Sequence, residues 1–430
     1  MCKPAIVLAA KRCKMGRSWL LSGLLLALCL SSGAAAAASL FEDYLRAQEH
    51  DPVFATARVE NDVGRLQARL AGYAYFPEGR VSASQLDIDA STRTTLSFNQ
   101  PLLSYDRWLT LKEVDPRLAL AAARLEQGQY ELAQRLFKTV ASLAEARERL
   151  SLNRSSIAAL EVQLQASEQA FRLGIGTVTD VRDTEARIAQ ARAQTFALEA
   201  QLSAARRQYE AMIGTSSREG VYSLAPGIPT LALPPLPELL ARAQDRNPAI
   251  RGGAVSVALA AIGIDRARAS LFPSVNLVAQ RSEIRGSTVS SSGIALRMDV
   301  PLQAGTFLRA ESAGLELRKA EEQLRAQRQN VGLEAERLYG LAIAAQAELS
   351  ARRNAVRAAE LSLEASEQSF KGGIRTRVDV LNATQAVFQA RADYSSALLR
   401  LGESLVGLRL VAAEDLSETL VQVERIVFGR

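Results

Sequence analysis

Few residues of this chain are of the types that do chemistry, and fewer are grouped. There is one histidine, His50, directly before Asp51-Pro52 at a helix start, and its position there reads as structural. The three cysteines, Cys2, Cys13 and Cys29, all fall within the first 38 residues. A metal set built from His and Cys is therefore almost excluded. The sequence has no phosphate-binding glycine loop, nucleophile elbow or zinc signature. What stands out is a pair of acids in a repeated setting. Residues 166–181 read ASEQAFRLGIGTVTDV and residues 365–380 read ASEQSFKGGIRTRVDV, identical at ten of sixteen positions. In each copy glycines follow a helical stretch, Gly174 and Gly176 in the first and Gly372 and Gly373 in the second. Glycine accepts the left-handed conformation that closes a helix. Thr177 with Asp180, and Thr376 with Asp379, then have the spacing that caps the next helix and sets an acid against its dipole. Each copy is a helical hairpin tip. Capping alone is one reading of Asp180 and Asp379, and an additional role for the two carboxylates is the other.

The elements that must position these tips are themselves duplicated. Asp51-Pro52 recurs as Asn247-Pro248 and Phe76-Pro77 as Phe272-Pro273, both 196 residues apart, Pro101 as Pro301 after 200 and Phe171 as Phe370 after 199. Each half is expected to run helix, Phe-Pro, strand pair, Pro, very long helix, turn, helix. Asp or Asn followed by Pro opens a helix, and each Phe-Pro is expected to end one. No proline occurs from Arg117 to Ala225 or from Leu302 to Arg430, and both stretches are rich in Ala, Leu, Glu, Gln and Arg, the best helix formers. Helices over about Leu109–Leu173 and Leu308–Lys371 follow, each of roughly 100 Å. Helices of that length must pack on one another in a coiled-coil-like array.

Residues 292–302, SGIALRMDVPL, place Ile294, Leu296, Met298 and Val300 on one face and Ala295, Arg297 and Asp299 on the other, a period of two. Leu96 and Phe98 repeat this more weakly, and partner strands are expected around Val81–Ile88 and Val275–Gln280, with Gly286 and Ser290–Ser292 marking the second loop. Strands with an apolar outside and a polar inside suit a membrane barrel as well as an ordinary amphipathic sheet. Tyr105 and Trp108, just past Pro101, are candidates for a membrane interface or for ordinary packing. The stretch LVQVERIVF (420–428) is read as a short strand.

The first 38 residues read as a secretory signal peptide. They carry five basic residues and no acid, then an apolar run from Trp19 to Leu30 and an alanine tract ending at Ala38, the expected cleavage point. Initiation at Met15 would give a more ordinary leader, and Leu28, directly before Cys29, stands where a lipoprotein signal needs a small residue, which argues against a lipid anchor. Without the leader the net charge falls from +6 to +1, with 47 basic against 46 acidic residues, so the basic balance gives no reason to expect nucleic acid. The mature chain divides as 39–225, a first repeat; 226–240, a connector holding five of the thirteen prolines; and 241–430, a second repeat with a C-terminal segment.

The succession of signal peptide, DP helix, FP, hairpin, QPLLSYDRW, long helix and FKGGIRTRVDVLNATQAVFQARADYSSALLRL resembles the TolC family of outer-membrane channels over nearly the whole mature chain. The resemblance implies an α+β membrane protein: a homotrimer in which each chain gives four strands to one 12-stranded β-barrel, continued by an α-helical coiled-coil tunnel through the periplasm. It also implies a passive duct without enzymatic activity or cofactor, held in outer-membrane lipid and served by a periplasmic adaptor and an inner-membrane ABC or proton-driven transporter. At the tips it implies that Thr179 and Asp180 face Phe370 and Arg375, and that Asp379 forms an acidic ring in the pore. Phe370 stands where family members can have tyrosine and Asn382 where a second aspartate can lie, which implies a looser gate and a weaker cation preference. Type I protein secretion and multidrug efflux both remain open. The competing reading is a soluble periplasmic coiled-coil scaffold; an exported enzyme lacks any convergent set of acids, bases or nucleophiles.

Overall fold

The computed structural model describes residues 39–85, 92–216, 222–225, 227, 233–269, 271–284, 290–300 and 305–429. The leader, its cleavage point, Ile88, Gly286 and Pro301 lie outside these residues. The described residues begin with α1 (Leu40–His50) and α2 (Pro52–Gly72), continue through β1 (Glu78–Gln85) and β2 (Thr92–Leu103), and then form α3 (Tyr105–Lys112), α4 (Val114–Arg172) and α5 (Val178–Ile213). The order repeats, without a counterpart of α3 among the described residues: α6 (Leu236–Arg246), α7 (Pro248–Ala269), β3 (Ser274–Ile284), β4 (Ser290–Asp299), α8 (Thr306–Lys371) and α9 (Arg377–Val411), with α10 (Leu416–Phe428) at the end.

The two long helices form where proline is absent beyond the first turn. Helix α8 runs unbroken for 66 residues, about 100 Å. The first long helix differs from expectation, because it breaks at Glu113 and α4 keeps 59 residues. Pro116 explains the break: it lies in the first turn of α4, and without an N–H it cannot bond the carbonyl four residues back. The break is held by charge. Glu113, nearly buried, takes Arg117 at 2.7 Å and Arg266 of α7 at 2.8 Å, and Arg266 also reaches Asp106 at 3.0 Å.

Five other expectations are corrected. Residues 420–428 form helix α10, not a strand. Asp415 caps it by accepting from Glu418 N at 2.9 Å, Gly429 closes it at φ 72°, and Leu420, Val423 and Val427 are buried at helical spacing. Period four and three, not two, decides the element. Asp51-Pro52 and Asn247-Pro248 open the second helix of each half, after α1 and α6, rather than the first. The Asp51 Oδ1 accepts from Val53 and Phe54 N at 2.7 and 2.9 Å, and Asn247 Oδ1 from Ala249 N at 3.0 Å. Helix α6 begins at Leu236, inside the expected connector. Helices α2 and α7 stop three or four residues before Phe76-Pro77 and Phe272-Pro273, through turns at Tyr73 and Leu271. Ser290–Ser292 belong to β4 and not to a loop.

Helices α4 and α5 form one antiparallel hairpin and α8 and α9 another, with α4 also against α9, α2 and α7, and α7 against α8. A buried collar lies midway along the helices, formed by Leu136, Phe137, Val140 and Leu143 of α4, Leu398, Leu401 and Leu405 of α9 and the apolar face of α10. The stretch Leu236–Ala269 is long and apolar enough to cross a membrane by composition. It is split at Asn247, whose Nδ2 donates to Val411 O at 3.0 Å, and its Arg251 and Arg266 pair with Glu126 and Glu113.

Candidate functional site: two hairpin tips and a two-faced sheet

Both tips fold through the turn chemistry of their own residues. In the first, Gly174 takes φ +73° and the N–H groups of Ile175 and Gly176 return to Ala170 O at 3.0 Å. In the second, Gly373 takes φ +70° and Ile374 N reaches Ser369 O at 2.9 Å. Gly372 keeps an ordinary negative φ, while a Cβ on Gly176 would lie 3.0 Å from both Ala170 Cβ and Phe171 N. Each following helix opens on a complete capping box. Thr177 donates its hydroxyl to Asp180 Oδ2 at 2.7 Å and accepts from Asp180 N at 3.2 Å; Thr376 and Asp379 repeat this at 2.7 and 3.4 Å. The Thr376 hydroxyl, its backbone N–H and the nearby Arg375 charge hold the Asp379 carboxyl below the usual carboxylate range.

The tips differ in what surrounds these boxes. Arg375 Nη1 donates to Ser366 Oγ at 2.9 Å, and Ser366 is fully buried. The Arg377 guanidinium sits 4.5 Å above the centre of the Phe370 ring, within cation–π range. The first tip has Gly176 and Val178 at the equivalent positions, and Phe171 is half exposed. Thr179 is exposed. Within one chain no hydrogen bond or ion pair among the described residues joins Thr179 or Asp180 to Phe370 or Arg375. Asn382 is instead taken by the other hairpin, accepting from Arg187 Nη2 at 2.8 Å while Arg187 Nη1 reaches Gln385 at 3.1 Å. Beside this link Leu160, Ile188 and Leu381 form a small apolar cluster.

Sequence reasoning missed Arg187, Arg377 and a buried cluster in the collar. There the hydroxyls of Tyr209 and Tyr222 both donate to Oδ2 of Asp43, which is wholly buried, and Arg46 stands 3.7 Å from its other oxygen. Burial, and then the Asp43 carboxylate, push both phenols well above their ordinary range. His50 is structural as read: its Nδ1 contacts Arg46 O at 3.1 Å, and its ring lies against Gly214 at φ +76°. Among the described residues no group of three His, Cys, Asp or Glu is placed to hold a metal.

At the other end of the molecule lies one antiparallel sheet in the order β1-β2-β3-β4. Its register sorts the side chains. Val81 pairs with Leu96, Phe98 with Ala279, Ala279 with Ile294, Leu277 with Leu296 and Val275 with Met298, so all these apolar groups share one face. Ile294, Leu296 and Met298 are 77, 67 and 65% exposed. The opposite face carries Glu78, Arg80, Ser82, Arg93, Thr95, Ser97, Asn276, Gln280, Arg297 and Asp299. Among the described residues, strands β1 and β4 each have a neighbour on one side only. Below the sheet Tyr105 stacks on Trp108 at 5.6 Å and meets Phe272 at 5.3 Å, and Trp108 and Phe272 stay about half exposed. Exposed rings gathered beneath an apolar belt suit a membrane–water interface.

The arrangement has known counterparts. The family described as outer membrane efflux protein matches residues 44–215 and 239–414. The proteases secretion protein PrtF of Dickeya chrysanthemi is 27% identical, over 92% of this chain and 92% of its own. The outer membrane protein TolC of Vibrio cholerae is 25% identical over 85% and 88% of the two chains, and the alkaline protease secretion protein AprF of Pseudomonas aeruginosa 24% over 88% and 85%. Among solved structures, the Vibrio cholerae outer membrane protein VceC superposes with a TM-score of 0.70 at 18% identity, over 88% of this chain and 96% of its own. The outer-membrane channel OprN gives 0.73 at 20%, over 88% and 90%.

Proposed function

The chain belongs to the outer membrane efflux protein family, and on that premise we propose that it is the exit duct of a three-component export machine. Three copies join edge to edge, β1 of one against β4 of the next, into a 12-stranded barrel in the outer membrane. The helical hairpins continue it as a tunnel into the periplasm, where the tips meet an adaptor and, through it, an inner-membrane transporter. The observation that carries this reading is the sheet: apolar on one face, polar on the other, and open at both edges. An edge left unpaired in lipid costs several kcal/mol for each orphan backbone group, four strands cannot close, and eight is the usual minimum. The two-fold element order supports an origin by duplication, with a first repeat at 39–225 and a second that opens with α6 at Leu236, after a proline-rich connector.

The relatives PrtF and AprF are named for protease secretion, which favours a polypeptide cargo here and an ATP-driven transporter as the inner-membrane partner. At the periplasmic end the tips form the gate. Thr179 and Asp180 of one hairpin meet Phe370 and Arg375 across the interface between chains, and Asp379 contributes to an acidic ring. With its hydroxyl-free Phe370, and with Asn382 bound to Arg187, this gate is held by fewer charged contacts than one with tyrosine and a second aspartate.

Purified mature protein in detergent is expected to run as a three-chain band that collapses on boiling, and to conduct ions in planar bilayers. A water-soluble single chain without conductance would sink the reading.

A further inference from the structure

We propose that the inner wall of the barrel is an arginine ladder that draws anionic cargo outward; this rests on the trimeric barrel proposed above. The register places Arg297 opposite Asn276, Arg80 opposite Ser97 in the row of Gln280, and Arg93 opposite Ile284, all on the polar face. These rows are four residues apart on β3, about 14 Å along the strand and about 10 Å along the axis of a barrel with strands tilted near 45°.

None of the three guanidinium groups has a carboxylate partner among the described residues. Among the described residues the acids on the same face are Glu78 and Asp299, and Glu78 is already neutralised by Arg107 at 2.7 Å. Asp299 stands at the base, beside Asn276 at 3.5 Å. The apolar face is handled in the opposite way: Arg281 is paired at 2.6 Å with Glu283 on the same face. Among the described residues, charge is cancelled on the apolar face and left uncancelled on the polar face.

Three copies give nine arginines in three rings. Their axial spacing is close to the Debye length of about 8 Å at physiological salt, so the attraction of one ring reaches towards the next. Clefts lined by one sign of charge raise the local concentration of counter-ions by about tenfold or more. The conduit would then present the acidic Asp379 ring at its periplasmic end and a basic bore at its outer end.

The test uses purified trimers in planar bilayers, with oligoglutamate or oligolysine added on the barrel side. Oligoglutamate should block current, and oligolysine should not. Replacing Arg80, Arg93 and Arg297 together by Gln should raise the half-blocking oligoglutamate concentration by about tenfold and move the reversal potential towards cations, while an Arg→Lys triple should keep the block. Raising KCl on wild-type trimers should weaken it, a measurement that needs no variant. An oligoglutamate block that ignores salt, or that persists unchanged in the Gln triple, overturns the ladder and leaves the channel intact. Wild-type trimers that conduct nothing would overturn the channel reading itself.

Discussion

Arg375 is an exposed cation tied to a buried hydroxyl, and that bond fastens the turn of the second tip to the end of its own long helix. In the proposed gate the same side chain also faces the neighbouring chain. Arg375→Ser should release the turn and raise both single-channel conductance and open-state dwell. The bond is exposed at one end, so about 1 kcal/mol is at stake, a several-fold change in the open-to-closed ratio; unchanged dwell times would remove Arg375 from the gate. In the collar, burial holds the Tyr44 and Tyr130 phenols near 12 rather than 10, with Glu126 adding to the shift at Tyr130. A folded phenol so raised keeps its proton where the unfolded chain has lost it. The stability these groups supply is therefore complete below about pH 10 and is lost as pH climbs through the folded values. Thermal midpoints should be flat to about pH 10 and then fall, with tyrosinate absorbance appearing late, and Tyr44→Phe should make the fall shallower. The tip residues Gly174, Thr177, Asp180, Gly373, Thr376 and Asp379 were legible because turn and cap chemistry spans only a few positions. Arg187 and Asn382, 195 positions apart, or Asp43 and Tyr222, 179 apart, carry no local signal, since only tertiary packing brings them together.

At the scale of elements the long helices were written in composition and the absence of proline, and their ends in single residues. Pro116 is visible in the sequence, but proline is tolerated in the first turn of a helix, so its position alone does not mark the break at Glu113. Residues 420–428 are rich in Val and Ile, which reads as strand, whereas the stripe of Leu420, Val423 and Val427 against the collar makes a helix of them. That docking depends on Gly402. A Cβ there would come 2.5 Å from Phe137 Cζ and 2.6 Å from Val427 Cγ2, with Phe137 and Val427 themselves buried. Gly402→Ala gains at most about 1 kcal/mol of helix propensity. It must also push apart α4, α9 and α10 in a close-packed core, at a cost of about 1–3 kcal/mol. The expected result is a lower thermal midpoint for the assembled protein, with α10 the first segment to lose amide protection in hydrogen exchange. A midpoint that rises would mean that α10 is not seated as described.

At the scale of the whole molecule the decisive property is that one chain is an incomplete wall. The alternation along 292–302 pointed to a two-faced sheet, but alternation alone suits a soluble sheet equally well, because period two says nothing about what covers the apolar face. What separates the two cases is that Ile294, Leu296 and Met298 remain uncovered although the helices bury extensive apolar surface elsewhere. Two neighbours on β4 turn this into a test. Leu296 pairs with Leu277 in the middle of the apolar band, and Ala295 pairs with Val278 on the polar face. An arginine facing hydrocarbon near the midplane costs about 2–4 kcal/mol, and assembly repeats that cost in every copy; an arginine facing a water-filled bore costs little. Leu296→Arg should therefore abolish the heat-modifiable trimer in outer-membrane fractions, while Ala295→Arg should insert, assemble and conduct. The two substitutions introduce the same side chain one residue apart on an exposed strand, so strand propensity and net charge change alike and only the facing differs. If both variants assembled equally well, or if Ala295→Arg failed and Leu296→Arg survived, the apolar face would not be the one that meets lipid.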